Sequence, residues 1–452
     1  MKKYILIILC CLTSFPLWSY NVNMIVEHYS VDQGLPNNTV NCTLKDRDGF
    51  IWFGTWYGLC CFDGVKFKTF NKQEHDSDVP PRKIQRIVED KNGYIWVKTI
   101  DRKLYVFNKV TECFHAVYDD MKNYSENIQV IKLQNTAEGD VLLLTKDKNL
   151  LLAGVDEKGQ VTIKILFDSR DEINKHDYTL KHHVLCETEE YISWIGTDYK
   201  VSAVHKGAEL ASRPADFITS KINSGDKDSF TSFFEDGRKV WVGDRAGIFY
   251  SIDVRTGLVN RYVLSEIKGA ISNLLVTPAG YVYLSVAGQG TYEYDLAERR
   301  LQKINTEMND AMVTHAFIDQ YDKIWFHENE KALIYYDPLN HTAKRFPFTM
   351  FGKITTLYSE DAGERGLFFL SPAGEAWLFD REHVEMVYIN KLKQLSNDRA
   401  NQQFYHLMLD NDGVLWLSSA DEGVYCMNFP KKQFNLLSLS PQSVGQENYA
   451  TG

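Results

Sequence analysis

The chain has 452 residues, a formal net charge of −10 and an aromatic content of 13%. It has no run of Lys or Arg longer than a pair, so its charge argues against nucleic acid or an anionic membrane surface as a partner. Sustained helical periodicity is absent along the sequence, which excludes a helical bundle as the fold.

The first 19 residues predict an export signal. Two lysines precede an apolar segment, Ile5–Leu12, which is too short to span a bilayer. Cleavage is expected between Ser19 and Tyr20. Because no later segment has 18 uninterrupted apolar residues, we expect no membrane span in the chain after cleavage.

The stretch Lys45–Phe70 predicts a run of short antiparallel strands. Asp46–Gly49 is a tight turn, because Asp supplies turn hydrogen bonds and Gly supplies the left-handed backbone. Phe50–Thr55 is an apolar and aromatic run of strand length, and Asp63-Gly64 is a hairpin signal. With Val40–Leu44 as a further strand, this stretch predicts one small four-stranded sheet that needs neighbours of its own kind.

The same pattern recurs nine times, with an apolar anchor in each predicted second strand. Spacings of 42 to 51 residues with four strands per repeat are typical of propeller blades, so the predicted fold is an all-β propeller. An aromatic anchor fills the wedge between neighbouring blades. The anchors are Trp52, Trp96, Leu143, Trp194, Trp241, Tyr283, Trp325, Phe368 and Trp416.

The segment Val40–Gly64 resembles the two-component regulator propeller repeat, with Asp46 or Asp48 as its acidic residue and the motif I-W-x-G-T-x-x-G-L inside it. The preceding segment, His28–Val40, is similar to the usual start of such sensors. The similarity covers nearly the whole chain after the signal, although the copies around Leu143 and Phe368 are recognised by spacing alone.

The resemblance implies the periplasmic sensor half of a hybrid two-component system of Bacteroidetes-type bacteria. It implies an oligosaccharide signal and signalling through a homodimer anchored in the inner membrane by segments absent here. The kinase modules of full-length relatives are also absent, so no enzyme activity and no cofactor are expected. A propeller that docks a protein, and a propeller glycan lyase or hydrolase, are the alternatives.

Nine repeats exceed the seven blades usual in this family. We therefore predict a seven-bladed propeller over residues 20–348 and the first two blades of a second propeller over residues 349–452, marked by Gly352. The alternative is a single ring closed by Met24–Tyr29 pairing with a strand near Lys432–Leu437. The chain ends where a further blade would begin, so truncation is expected.

Ligand contacts in a propeller are expected on the face that carries the loops between strands two and three and between successive blades. Aromatic rings beside Arg, Asp and Asn suit a sugar, because rings stack on the pyranose and polar groups bind its hydroxyls. No metal or catalytic motif was found; paired acids such as Asp46 and Asp48 are expected to cap turns. The candidate ligand-binding residues are Trp56, Tyr57, Arg82, Arg102, Tyr199, Arg245 and His327.

Six cysteines remain after the predicted cleavage, and none is in a C-x-x-C pair. Export permits disulfides. Small buried apolar residues are the favoured interpretation of these positions over disulfides or metal ligands. They are Cys42, Cys60, Cys61, Cys113, Cys186 and Cys426.

Overall fold

The computed structural model describes residues 25–70, 72–73, 80–122, 129–146, 149–167, 185–187, 190–195, 201–206, 230–304, 313–328, 331–351, 358–361, 366–371, 375–391 and 404–428. The predicted signal lies outside these residues. No helix within these ranges is long and apolar enough to cross a membrane. The described helical elements are one turn of α-helix, α1 (Tyr118–Met121), and two 3-10 turns, Val31–Gln33 and Phe348–Phe351.

The described strands form nine sheets, numbered here in chain order. Sheet 1 has β2 (Val40–Lys45), β3 (Ile51–Thr55), β4 (Gly58–Phe62) and β5 (Phe67–Phe70). Sheet 2 has β6 (Lys72–Gln73), β7 (Ile84–Glu89), β8 (Ile95–Thr99), β9 (Leu104–Asn108) and β10 (Cys113–Ala116). Sheet 3 has β11 (Val130–Asn135), β12 (Val141–Thr145), β13 (Leu150–Val155) and β14 (Val161–Phe167). Sheet 4 has β15 (Leu185–Glu187), β16 (Tyr191–Ile195) and β17 (Val201–His205).

Sheet 5 has β18 (Phe230–Glu235), β19 (Lys239–Asp244), β20 (Ile248–Asp253) and β21 (Leu258–Val263). Sheet 6 has β22 (Ile271–Val276), β23 (Tyr281–Val286), β24 (Gly290–Asp295) and β25 (Arg300–Lys303). Sheet 7 has β26 (Val313–Ile318), β27 (Ile324–Glu328), β28 (Ala332–Asp337) and β29 (Thr342–Pro347). Sheet 8 has β30 (Tyr358–Asp361), β31 (Leu367–Leu370), β32 (Glu375–Asp380) and β33 (Glu385–Lys391). Sheet 9 has β34 (Phe404–Leu409), β35 (Leu415–Ser419), β36 (Val424–Asn428) and β1 (Ile25–Tyr29).

The predicted all-β fold of four-stranded antiparallel units is confirmed, because strands that follow one another along the chain pair antiparallel within the sheets. In sheet 2 the short β6 is an added edge strand, parallel to β10, so the first strand of that unit is β7. All nine predicted anchors lie in the second strand of their sheet. Eight of them are buried, and the side chain of Trp194 lies outside the described residues. The sequence period therefore located the repeating unit correctly.

A hydrogen-bonded Asp–Trp pair holds the turn between the first two strands in five sheets. In sheet 1 the Oδ1 atom of Asp46 accepts hydrogen bonds from the backbone N–H groups of Asp48 and Phe50. Its Oδ2 atom accepts the indole N–H of Trp52 at 2.8 Å. The expected turn-capping role is confirmed for Asp46, whereas the Asp48 carboxylate does not cap the turn and instead accepts a hydrogen bond from the Lys109 amine at 2.7 Å. The same contact to the indole joins Asp90–Trp96, Asp236–Trp241, Asp319–Trp325 and Asp410–Trp416.

The first strand of each sheet lies innermost, since first strands of successive sheets contact one another, as β2 does with β7 and β34. Apolar clusters join sheet 1 to sheet 2, sheet 2 to sheet 3, and each of sheets 4 to 8 to the next. Sheets 3 and 4 are joined by Lys206, whose amine contacts Glu138 at 2.8 Å and Glu187 at 2.6 Å. Each sheet therefore has its sequence neighbours as packing partners.

The first and last sheets are also joined. β1 pairs antiparallel with β36, so the N-terminal strand completes sheet 9. Phe53 and Phe62 of sheet 1 pack against Trp416 of sheet 9. The strand partner is Val424–Asn428, not the segment near Lys432–Leu437 that the sequence indicated for this closure.

The pairing of β1 with β36 and the packing of sheet 1 on sheet 9 are contacts that a single ring would make. The 3-10 turn Phe348–Phe351 is not an open boundary: Phe351 packs edge-on against Trp377 of sheet 8, with ring centroids 4.7 Å apart. The division into residues 20–348 and 349–452 stays a prediction. Limited proteolysis separates the two arrangements, because two rings would yield a stable fragment ending between Phe348 and Gly352.

Candidate ligand-binding face

The turns between second and third strands lie at the same face as the starts of the first strands. The backbone N–H of Lys83 donates to the carbonyl of Trp56 at 2.9 Å, and that of Ile100 donates to the carbonyl of Lys83 at 2.9 Å. The N–H of Val130 donates to the carbonyl of Arg102 at 2.9 Å. These bonds link sheets 1, 2 and 3 into one continuous rim, as the propeller geometry predicts.

The rim carries two exposed aromatic rings where sheet 1 meets sheet 2. Trp56 is 41% exposed and Tyr57 is 64% exposed, in the turn between β3 and β4. The turn is held by Thr55, whose hydroxyl donates to the carbonyl of Gly58 and accepts the backbone N–H of Tyr57. The Lys83 amine lies 5.3 Å from the centre of the Trp56 ring. A partly exposed indole with a cation over its ring is thus available to a ligand.

Two predicted arginines lie on the same rim. Arg82 is exposed next to Lys83, and Arg102 is exposed in the turn between β8 and β9. Arg102 has a left-handed backbone, with φ of 67°, and its N–H donates to the carbonyl of Thr99. The structure therefore places Trp56, Tyr57, Arg82 and Arg102 in adjacent turns.

The other three predicted residues are not part of this group. Arg245 is exposed in the turn between β19 and β20, which Asp244 holds by accepting the N–H groups of Ala246 and Ile248. His327 was expected in a loop, but it lies within β27, half-buried, with its ring centroid 5.1 Å from that of Phe348. Burial, with the charge of His315, lowers the pKa of His327. Tyr199 lies outside the described residues.

The opposite ends of sheets 1 and 2 carry a group of carboxylates near enough to one another for a metal, formed by Asp46, Asp48 and Glu89. The Lys109 amine lies among them, at 3.0, 2.7 and 2.8 Å respectively. Burial lowers the pKa of Lys109, but hydrogen bonds to Asp48 and Glu89 outweigh it and raise that pKa above its ordinary value. These carboxylates are thus neutralised by the chain's own ammonium group, which joins the two sheets.

The sequence reasoning missed Lys98, which lies in β8 beneath this rim and is only 6% exposed. Burial, with the charge of Arg102, lowers the pKa of Lys98 to about 8. A lysine within an otherwise apolar second strand, IWVKT, is a visible sequence signal. It was overlooked because the candidates were sought only in loops.

The fold and this rim define a propeller built from repeated four-stranded blades. Residues 34–57 match the family described as "Two component regulator propeller", which identifies the first repeat as a member of that family. The resemblance of the first repeat to that family is thereby confirmed. No curated protein matches the chain.

Solved structures of similar fold include the extracellular domain of BT4673 from B. thetaiotaomicron, at 14% identity and a TM-score of 0.37. They also include the extracellular domain of BT3049 from the same organism, described as a hybrid two component system, at 14% identity and a TM-score of 0.35. This chain is covered to 88% in both matches and spans 65% and 58% of those chains, respectively. A streptogramin B lyase matches at 10% identity and a TM-score of 0.38, over 90% of this chain and 98% of the lyase.

Proposed function

We propose that the chain is the ligand-sensing propeller of an exported sensor of the hybrid two-component type, and that its signal is an oligosaccharide. The observation that carries the proposal is the family match of residues 34–57, which ends in the turn with the exposed Trp56 and Tyr57 rings. In this proposal the chain senses without catalysing, and a homodimer of the anchored full-length protein passes the signal on.

The chemistry of the rim supports a sugar as the ligand. An exposed indole offers an apolar face of the size of a pyranose ring, and burial of that face on binding is favourable. Lys83, Arg82 and Arg102 supply hydrogen-bond donors beside it. A flat ring for stacking, with donors in the same and adjacent turns, is an arrangement that fixes the orientation of a polyhydroxylated ligand.

Calorimetry of the folded protein against a panel of neutral and acidic oligosaccharides tests the proposal. We expect one class to bind, and we expect Trp56→Ala to weaken that binding by about tenfold or more, as for a buried aromatic contact. Phe50→Ala is the matched control, because Phe50 is 42% exposed in the same sheet but lies at the turn between β2 and β3.

The alternatives give different results in the same assay. Conversion of an oligosaccharide into new products would favour a lyase or hydrolase. Failure of every oligosaccharide, together with capture of one defined protein that Trp56→Ala no longer captures, would favour a docking propeller. Equal oligosaccharide affinity of the native protein and the Trp56→Ala variant would contradict the rim as the binding face.

A further inference from the structure

The innermost strands share a register shift near their first residues in seven sheets. The shift brings the third residue of each first strand opposite an equivalent residue of the second strand. Of these seven residues none is acidic, although the chain carries a net charge of −10. They are Cys42, Arg86, Lys132, Ser232, Asn273, His315 and His406.

The basic character of this layer is greatest in sheet 2. Arg86 in β7 is directly opposite Lys98 in β8, which places two cations in a cross-strand pair. Like charges directly opposite one another destabilise a sheet. Lys98 is nevertheless buried, and its amine has one hydrogen bond, to the side-chain oxygen of Gln85 at 2.6 Å. The cation whose charge acts on Lys98 is Arg102, so the fold retains a buried cation that an apolar residue at position 98 would remove.

Within the described residues no carboxylate neutralises this pair. Arg86 and Lys98 form no ion pair there, and Arg102, whose charge acts on Lys98, forms none either. The neighbouring Asp101 is engaged elsewhere, with the hydroxyl of Thr99 at 2.5 Å and the amine of Lys103 at 3.5 Å. Buried charges are ordinarily paired. A buried cation with only an amide partner is therefore a site at which an anion would be stabilised.

A polar atom without a partner lies on the inner strand two sheets away. The Nδ1 atom of His406 in β34 is buried and has no hydrogen-bond partner in the part of the chain that the structure describes. β2 lies between β34 and β7 and contacts both strands. The charge of Arg86 acts on His406 across β2. A buried ring nitrogen can donate or accept a hydrogen bond, so leaving it unsatisfied is costly unless a ligand completes it.

We propose that Arg86, Lys98 and Arg102 of sheet 2, with His406 of sheet 9 on the other side of β2, form an anion-binding site. Its ligand carries a carboxylate, sulfate or phosphate group. The guanidinium of Arg86 presents a planar pair of donors that matches such oxyanions, and Lys98 adds a point charge from below. The site does not depend on the aromatic rim being a sugar site.

Anion titrations of the native protein at pH 7 test this site, with sodium chloride holding the ionic strength constant. The probes are sodium sulfate, sodium phosphate and sodium acetate, followed by a sulfated, a uronic-acid and a neutral disaccharide. We expect saturable binding of at least one anionic probe by calorimetry. Binding should weaken roughly tenfold or more in Arg86→Gln and in Lys98→Met, since each loses a charged contact.

Arg238→Gln is the matched control, because Arg238 is also an exposed arginine but lies in the turn between β18 and β19 of sheet 5. It should bind the anion as the native protein does. Binding of inorganic ions would indicate a free oxyanion, whereas binding of acidic disaccharides alone would indicate a sugar-borne group. Thermal melts check that the variants fold, and Arg86→Lys should retain part of the affinity.

Absence of binding by every anionic probe would overturn the site, as would unchanged affinity in Arg86→Gln and Lys98→Met. A loss of affinity in Arg238→Gln equal to that in Arg86→Gln would also overturn it, because the effect would then be one of net charge. Neutral disaccharide binding that Trp56→Ala abolishes and Arg86→Gln leaves intact would support the rim site alone. The two proposals can therefore fail independently.

Discussion

The two ends of sheets 1 and 2 treat charge in opposite ways. At the end that carries the Asp–Trp pairs, Asp46, Asp48 and Glu89 converge on the Lys109 amine, and Arg47 adds a contact to Glu89 at 3.2 Å. At the other end, Arg86, Lys98 and Arg102 lie together with no carboxylate partner among the described residues. At the first end the charges are neutralised by ion pairs within the chain. At the second end, in our proposal, a bound anion neutralises them.

The two ends also differ in how similar the nine sheets are to one another: contacts at one end recur from sheet to sheet, and residues at the other end vary. The Asp–Trp contact recurs in five sheets because each buried indole N–H needs an acceptor, and the turn carboxylate supplies one. At the opposite end the position facing the inner strand is Gly54 in sheet 1 but Lys98 in sheet 2. We infer that the end with the Asp–Trp contacts stabilises the fold, while the residues at the opposite end determine which ligand binds.

Sheet 6 shows that the folding requirement is an acceptor rather than a particular residue. Its anchor is Tyr283, and its turn has Thr277 where five other sheets have Asp. The Tyr283 hydroxyl instead donates to the buried Glu293 in the third strand at 3.0 Å. Tyr336 of sheet 7 donates to the same carboxylate at 3.1 Å. The polar atom of a buried aromatic ring is thus satisfied by a different strand.

The largest effect is expected at the repeated end. Trp96→Ala should lower the free energy of unfolding by about 3–5 kcal/mol, the range for emptying a large buried aromatic site. Trp96 is fully buried and its indole N–H donates to Asp90 at 2.8 Å, so the variant also leaves that carboxylate without this partner. Urea unfolding measures the change.

Trp56→Ala is the control for Trp96→Ala, because Trp56 lies at the other end with an exposed ring. It should change the free energy of unfolding by less than about 1 kcal/mol. Equal losses in the two variants would show that both ends contribute similarly to stability, and the comparison between them would fail.

The residues at the end with the Asp–Trp contacts could be predicted from the sequence, whereas those at the opposite end could not. Trp52 and its equivalents were located because a large aromatic residue at a fixed spacing is a strong pattern. The hydrogen bond that the Trp52 indole donates to Asp46 was not anticipated. The two residues are six positions apart in the sequence, and this spacing alone does not indicate a contact. Arg86 and His406 were missed because the register shift that aligns them leaves no sequence period.

The sequence offered two ring arrangements and did not decide between them. Closure depends on which sheet takes up Ile25–Tyr29, and strand pairing between residues some 400 positions apart has no local signal. The turns predicted at Trp56, Arg102 and Arg245 lie between second and third strands, whereas His327 was assigned to a loop because the end of β27 is polar. Strand ends remain the least certain part of any pattern.

A loss of stability of intermediate size is expected in acid, because His406 is harder to protonate in the folded protein than in the unfolded chain. Burial, with the charge of Arg86, lowers the pKa of His406 from 6.5 to about 4. Between these values the unfolded state binds more protons than the folded state, so stability falls as the pH drops from 6.5 to 4. The loss is at most about 3 kcal/mol, since one pKa unit corresponds to about 1.4 kcal/mol.

His406→Gln should remove this part of the acid sensitivity, so its free energy of unfolding should change less between pH 6.5 and 4. Urea unfolding at several pH values measures the difference, which isolates His406 because all other groups are common to both proteins. His383→Gln, at an exposed histidine beside Asp380, should keep the native loss over this range. An unchanged slope in His406→Gln would place its pKa at the ordinary value.

The smallest changes in the free energy of unfolding are expected from variants of Gly54 and Lys98, which occupy equivalent positions in sheets 1 and 2. A Cβ added at Gly54 would lie 2.4 Å from Cys42 Sγ and 2.6 Å from Ile84 Cγ2. Gly54→Ala should therefore cost about 1–3 kcal/mol, as overpacking does. Gly154→Ala is the control for Gly54→Ala, since its added Cβ would meet atoms only at 3.5 Å or more.

Lys98→Ala removes a buried cation opposite Arg86 and should leave the free energy of unfolding unchanged or raise it by up to about 1 kcal/mol. If Lys98→Ala instead destabilises the protein as much as Gly54→Ala, Lys98 serves packing, and the variable end would be structural in both sheets.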